Sequence, residues 1–247
     1  MRDATASVIT ASDAPTPRSA VTRAKLLTVA ERLFAERSIA GVSLNEISKA
    51  AGQRNSNVCQ YHFGDKSGLV QAILDKHVPG IKARREQLLD RLRTSKRVTL
   101  RGLVQAFVRP VAEKLEDPEG GREFIRINAQ LIALHTLSVQ GVRRSPLRLA
   151  RADRFSRALL EAVARRIPEP VAHERLMLAA VLVFHGFDDH TRMLDAGARR
   201  RTADDLATFV ANLEDAVLGL LLAPVSVRAR AVHTRHRAST AASNAPR

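Results

Sequence analysis

The segment from Ser43 to Leu69 constrains the fold most, because its pattern predicts a helix, a tight turn and a second helix in close succession. Ser43 and Glu46 have the spacing of a capping box, in which a hydroxyl and a carboxylate satisfy backbone N–H groups at a helix start. Gly52 ends this first helix, since glycine adopts the left-handed conformation without a steric cost. Two helices joined in this way form the helix-turn-helix that inserts its second helix into the major groove of DNA.

The second helix of this segment is expected from about Ser56 to Phe63, with Asn55 or Ser56 as its cap. Cys59 and Phe63 lie four residues apart and form its buried side. Asp65 is placed to cap a third helix. Cys59 has two interpretations, a thiol that senses oxidation beside DNA or a small apolar core residue. The second is favoured, because no basic group is placed in the sequence to lower its pKa.

An ordered set of residues over about 20 to 78 resembles the DNA-binding domain of the tetracycline-repressor (TetR) family. The set comprises Arg23 to Glu36 (RAKLLTVAERLFAE), Gly41-Val42-Ser43, Ile47, Ala50-Ala51-Gly52, Tyr61-His62-Phe63-Gly64 and Lys66. The resemblance implies an all-α protein, with an N-terminal helix-turn-helix domain followed by a larger helical domain for ligand binding and dimerisation. The chain departs from the commonest family pattern by one extra residue between Gly52 and Phe63, so the turn is expected to be wider.

Nine residues of this segment are candidates for DNA contact. Asn and Gln amides pair with adenine and an apolar group touches the thymine methyl, so the exposed side of the second helix is expected to contact bases. Lys66 and Ser43 lie at helix starts, where phosphates bind. The resemblance implies DNA contact for His62 and Lys66, and it places Gln60 where the family usually has a phosphate-binding tyrosine. Ser43 as a cap only, and Tyr61 as a packing residue, remain alternatives. The candidates are Ser43, Arg54, Ser56, Asn57, Val58, Gln60, Tyr61, His62 and Lys66.

Charge and cysteine content agree with a DNA-binding protein of a reducing compartment. The 247 residues contain 40 Lys and Arg against 25 Asp and Glu, a net charge of +15. The excess suits double-stranded DNA, although residues 18 to 77 hold only nine basic and five acidic residues. One cysteine excludes an internal disulfide framework, and no signal peptide or membrane span is apparent. A cytoplasmic protein without a membrane partner is expected.

Outside this segment the pattern predicts helices throughout, between two tails. Residues 1–18 and 224–247 lack periodicity and are expected to be disordered, the second one basic. Residues 19–78 are assigned to DNA binding and residues 79–223 to effector binding and dimerisation. Further helices are predicted over 99–115, 121–136, 146–167, 170–194 and 202–222, with a bend at Pro79-Gly80 in the helix that follows Asp65.

The last two predicted helices are the expected homodimer surface, since a two-fold dimer on a palindromic operator doubles a short recognition site. Their apolar residues repeat at helical spacing, which also fits an ordinary internal core. The candidates are Leu176, Ala180, Val183, Leu213, Val217 and Leu220.

The middle helices are expected, by the family resemblance, to surround a pocket for an unknown small-molecule effector. Apolar stretches with a few polar residues suit such a pocket. The candidates are Phe107, Phe124, Asn128, Gln130, Leu131, His135 and His185, although a residue of this kind is more often part of the core or surface. No cofactor or metal is expected.

The function expected is transcriptional regulation, with a ligand-released repressor as the principal hypothesis. A regulator without an effector is the first alternative. A helical enzyme with incidental helix-turn-helix likeness is the second, although the chain has no G-x-G-x-x-G, Walker or G-x-S-x-G motif.

Overall fold

A computed structural model describes residues 17–136, 153–195 and 203–227, and their regular structure is helical. The predicted all-α class is thereby confirmed for this part of the chain. Its α-helices are α1 Pro17–Arg37, α2 Leu44–Ala50, α3 Val58–Phe63, α4 Lys66–Thr94, α5 Leu100–Ala112, α6 Gly121–Thr136, α7 Arg154–Ala164, α8 Glu169–Asp195 and α9 Ala203–Leu222, and a 3-10 turn, Glu113–Glu116, follows α5.

Helices α1 to α4 enclose the first part of the core. Phe34 of α1, Ile47 of α2, Cys59 of α3 and Ile73 of α4 are all fully buried together. The interior position expected for Cys59 is therefore confirmed. Phe63 is only half-buried, because α3 ends there and the chain turns at Gly64 with a φ of 76°.

Two of the three predicted helix caps of this region have the predicted geometry. The Ser43 hydroxyl accepts from the backbone N–H of Glu46, and a carboxylate oxygen of Glu46 accepts from the backbone N–H of Ser43 at 2.8 Å. Asp65 accepts from the Gly68 N–H at 2.7 Å. The third prediction is wrong, since the N-cap of α3 is Asn57 and its side chain forms no capping bond.

Helices α4 to α9 form the larger part of the molecule, and most predicted bounds are close. Helix α4 continues through Pro79 to Thr94. Helix α7 is described from Arg154, while its predicted start at Pro146 lies outside the described residues. Of the predicted tails, 1–16 and 228–247 lie outside them as well. Val225 is buried against the core, so the packed region extends past the predicted boundary at 223.

Three of the six predicted dimer residues lie inside the core of a single chain. Val183 and Val217 are 0% exposed and Leu213 is 6% exposed, because α8 and α9 pack on each other and α9 packs on α5. A partner chain cannot contact them in this arrangement, and their assignment to the interface is corrected. Leu176, Ala180 and Leu220 are half-buried.

None of the helices in the described ranges is both long enough and apolar enough to cross a membrane.

Candidate DNA-binding and effector sites

Helices α2 and α3 are held together by Ser48, a residue that the sequence analysis missed. Its fully buried hydroxyl donates to the Leu44 carbonyl at 3.1 Å and accepts from the Cys59 N–H at 3.1 Å. That bond satisfies one N–H of the first turn of α3, where no side-chain cap is present. The turn between the helices is held by Asn55, whose side chain accepts from the Asn57 N–H at 2.9 Å.

Most DNA-contact candidates in the turn and on α3 share one exposed surface, which we call the DNA-facing surface. Tyr61 is 86% exposed, which argues against the packing alternative for this ring. Gln60, Asn57, Ser56 and Arg54 are exposed as well. An exposed aromatic ring with amides and a hydroxyl beside it supplies both stacking area and hydrogen-bonding groups for a nucleic acid.

Val58 and His62 are half-buried at the edge of this surface. Val58 packs against the core. The His62 ring lies 5.3 Å from the Tyr61 ring and 6.3 Å from the Phe63 ring. Burial, and then the positive charge of Arg23, lower the pKa of His62. The neutral imidazole is therefore favoured near neutral pH, so His62 is suited to a hydrogen bond rather than to a charge contact.

Lys66, at the first position of α4, has protein partners in this structure. Its ammonium donates to the carbonyls of Ile39 at 3.0 Å and Ala40 at 3.3 Å. These bonds tie the loop after α1 to the start of α4. An ammonium has three hydrogens, so a phosphate contact is compatible with both bonds.

Ser43 is exposed at the start of α2, and its hydroxyl is engaged with Glu46. The Ser43 backbone N–H, the Ser43 hydroxyl and the Arg37 guanidinium together lower the pKa of Glu46 to about 2. The carboxylate therefore stays ionised, and the capping role of Ser43 is confirmed. A phosphate contact at Ser43 remains a prediction.

A cavity of about 210 Å³ lies in the larger part of the molecule, between α4, α6, α7 and α8. Phe124 and Asn128, both predicted as pocket residues, line it. The other described lining residues were not predicted from the sequence, and they are Val78, Ile81, Lys82, Arg85, Asp153, Ser156 and Phe184.

Four of the other predicted pocket residues, Phe107, Gln130, Leu131 and His185, are not among the described residues that line this cavity. Gln130 lies against α1, where its amide accepts from the Ile39 N–H at 2.8 Å and donates to the Phe34 carbonyl at 2.9 Å. Leu131 is buried in the core, and Phe107 packs beneath the Arg85 guanidinium, 4.7 Å away. His185 is half-buried on α8, and the His135 side chain lies outside the described residues.

A buried polar cluster joins this region to α1. Glu31 of α1 and His77 of α4 are each 1% exposed, and the His77 Nε2 lies 2.9 Å from a Glu31 oxygen. Lys76 donates to the other Glu31 oxygen at 2.8 Å. Gly120 covers the pair with a φ of +90°, and a Cβ there would lie 2.7 Å from Glu31. The His77 ring lies 4.7 Å from Phe124, so Phe124 contacts both the cavity and this cluster.

Helices α1 to α4 contain a helix-turn-helix at α2 and α3, and this part of the chain is similar to a known family. Residues 26–73 match the family model described as bacterial regulatory proteins, tetR family. The match covers α2 and α3 entirely, with parts of α1 and α4. Over these residues the chain is similar to the TetR family of bacterial regulators. No curated protein matches the chain.

Several solved structures are similar over most of both chains. A protein described as a TetR-family transcriptional regulator from Rhodococcus sp. is 17% identical, with 80% of this chain and 98% of that chain covered and a TM-score of 0.48. The TetR-family regulator PfmR from Thermus thermophilus is 21% identical, with 84% of each chain covered and a TM-score of 0.36. A regulator from Mesorhizobium loti is 19% identical, with 82% and 98% covered and a TM-score of 0.41. The similarity to the TetR family rests on residues 26–73.

Proposed function

We propose that this protein is a homodimeric repressor that binds a palindromic operator and releases it when a small molecule enters the cavity. The observation that carries the proposal is the DNA-facing surface, with Tyr61, Gln60 and Asn57 exposed on a helix whose core side is fixed by Cys59 and Ser48. Exposed polar and aromatic groups on a rigid helix suit contact with base edges, and Lys66 and Arg54 suit contact with phosphates.

The second copy is proposed to pack on the exposed apolar face of α8 and α9, which we call the α8–α9 face. Met177, Leu178 and Leu182 are exposed on α8, and Leu222 is exposed near the end of α9. The two helix ends are adjacent, since Arg175 donates to the Ala223 carbonyl. A cluster of exposed apolar side chains is costly in water and marks an interaction surface. The small exposed residues of α9 permit close helix approach, and they are Ala211, Ala216 and Gly219.

Effector control is proposed to act through Phe124. Its ring contacts the cavity on one side and His77 on the other, and His77 holds the Glu31 carboxylate of α1. A ligand that displaces Phe124 favours a different position of α1. The spacing between the two α3 helices of the dimer then changes as well. A coupling free energy of about 1–3 kcal/mol between the sites is sufficient for a switch.

A regulator without an effector is the competing hypothesis, and the cavity disfavours it. An apolar core with no space would support control by abundance or by a protein partner alone. The cavity of about 210 Å³ has polar and charged groups in its wall, which suits a ligand better than a packing defect.

Operator selection from random DNA with the full-length protein tests the proposal. The expected product is a palindrome whose half-sites are about one helical turn, or a multiple of it, apart. A single half-site should bind at least tenfold more weakly in a gel shift. Selection that returns no palindrome, from a protein that is folded and dimeric in solution, would contradict the proposal.

A further inference from the structure

Arg85 occupies a position in α4 at which an apolar residue is expected. On the same helix face, Ile81 precedes it and Leu88 and Leu92 follow it. All three pack into or against the core. Arg85 is also in the cavity wall, beside Ile81 and Lys82. Removing the arginine charge from water in this stripe costs free energy, unless partners of the guanidinium compensate for it.

The partners of Arg85 do not satisfy its charge. The Arg85 Nη2 donates a hydrogen bond to the Phe107 carbonyl at 3.0 Å. The guanidinium carbon lies 4.7 Å from the centroid of the Phe107 ring and 5.6 Å from that of the Phe155 ring. Its Nε is buried and has no hydrogen-bond partner in the part of the chain that the structure describes. No carboxylate of the described residues lies within ion-pair distance of it, whereas the adjacent Arg84 pairs with Glu113 at 2.9 Å.

Among the described residues, the charges that face the cavity leave an excess of one positive charge. Lys82 and Arg85 are basic, and Asp153 is acidic. The Asp153 carboxylate is occupied, since one oxygen accepts from the Ser156 N–H at 2.7 Å and the other lies 4.0 Å from the Lys82 Nζ. Burial lowers the pKa of Arg85 to about 10, which Asp153 partly opposes, so the guanidinium is still charged near neutral pH.

We propose that the cavity binds a small organic anion whose carboxylate or phosphate group accepts hydrogen bonds from Arg85. The planar guanidinium matches both oxyanions, and among the described residues only its Nη2 has a protein acceptor, so donor capacity of the group remains for a ligand. Phe124, Phe184 and Ile81 provide apolar walls for the remainder of the ligand. A volume of about 210 Å³, that of roughly seven water molecules, limits the ligand to a small molecule. The inference deepens the proposed effector function and rests on it.

Matched small molecules test the charge requirement. Benzoate and phenyl phosphate are the anionic probes, and benzamide is the neutral control of similar shape. Calorimetric titration of the full-length protein should give a dissociation constant at least tenfold lower for one of the anions than for benzamide. Preference for benzoate or for phenyl phosphate identifies the oxyanion. An equal affinity for all three, or no binding of either anion, would overturn the inference.

Two variants on the same helix locate the effect. Arg85→Gln should abolish the preference for the anion. Arg84→Gln removes an equal charge outside the cavity, and this variant should keep the preference for the anion. Equal loss in both variants would mean that general charge attracts the probes, and that result would overturn the inference.

A stability measurement separates ligand binding from a structural role. Arg85→Met removes a half-buried charge that has no ion-pair partner among the described residues, so the melting temperature of the ligand-free protein should be maintained or raised while anion binding is lost. A lower melting temperature for Arg85→Met, with anion binding retained in Arg85→Gln, would show that Arg85 serves the fold only.

Operator binding, measured with the same compounds, separates this inference from the proposed function. If the anions bind through Arg85 but the operator remains bound, the anion site stands and effector release fails. If benzamide releases the operator and the anions do not bind, effector release stands and the anion site fails.

Discussion

The DNA-facing surface and the α8–α9 face are both exposed, yet their chemistry is opposite. The first presents Tyr61 among polar side chains such as Asn57 and Gln60. The second presents Leu178, 53% exposed, and Met177, 45% exposed, next to small residues of α9. Hydrated phosphates and base edges suit the first surface, whereas the second gains free energy by leaving water.

The two surfaces also differ in the interactions that hold their helices in place. Local hydrogen bonds fix α2 and α3, through the Ser43–Glu46 box and the Ser48 hydroxyl. Helices α8 and α9 are held by apolar packing, with Val183 and Val217 completely buried. A short helix with few apolar contacts depends on caps, whereas long helices depend on the core. Substitutions should therefore act on DNA contacts at one surface and on assembly at the other.

The largest expected effect is the loss of the dimer in Leu178→Glu. In the monomer this position is exposed, so the substitution should change stability little. In a dimer the carboxylate would be buried without a partner, at a cost of several kcal/mol. Sedimentation should show a folded monomer, and affinity for the palindromic operator should fall by ~100-fold or more, because the two half-sites no longer bind together.

Val21→Glu is the matched control for this effect. Val21 is an exposed apolar residue on α1, away from the α8–α9 face, and its charged variant should remain dimeric. If Leu178→Glu is dimeric as well, the second copy packs elsewhere. A substitution at Val217 is unsuitable here, since this residue is buried inside one chain and a charge would unfold it.

The sequence predicts local features of these surfaces, such as helix caps, better than features that depend on tertiary packing. The caps at Ser43 and Asp65 are local patterns, and both predictions are confirmed. The side of a helix that packs inside one chain depends on its neighbours in space, which explains why the assignment of Val183 and Val217 to the dimer is wrong. Apolar spacing identifies a buried face, but it does not identify the chain that buries it.

The cavity illustrates a second limit. Arg85, Phe124 and Asp153 line the same cavity but are far apart in the sequence. No local sequence pattern therefore predicts that they share a site. A signal was nevertheless present, because Arg85 interrupts the apolar stripe of Ile81 and Leu88 on α4. An arginine at an otherwise apolar helix position marks a functional candidate, and this could be applied without a structure.

A smaller effect is expected from the amides of the DNA-facing surface. Asn57→Ala and Gln60→Ala should each cost roughly 1–3 kcal/mol at one base position and alter the selected operator there. Gln87→Ala, an exposed glutamine on α4, is the control and should leave the operator unchanged. If both variants select the wild-type operator, base recognition belongs to Tyr61 or to the turn.

The next effect is a change in salt dependence at Lys66. Lys66→Ala should reduce the slope of log affinity against log salt by about one, equally for all sequences, since a phosphate contact is sequence-independent. The variant should also melt at a lower temperature, because the Ile39 and Ala40 carbonyls lose their donor. Arg93→Ala, at the far end of α4, controls for general charge. An unchanged slope with a lowered melting temperature would assign Lys66 to the fold alone.

The smallest effect concerns the Glu46 carboxylate, which stabilises the frame of the DNA-facing surface. Its pKa is about 2 in the folded protein and 4.5 in the reference state, so its contribution is present above pH 4.5 and is lost as the pH falls towards 2. Glu46→Gln keeps a side-chain acceptor for the Ser43 N–H but removes the charge. The wild type should therefore melt at a higher temperature than the variant at pH 6, and the difference should vanish near pH 2. Glu36→Gln, on the exposed side of α1, is the control for removal of one carboxylate. A pH-independent difference between wild type and Glu46→Gln would mean that cap geometry, and not the carboxylate charge, stabilises the start of α2.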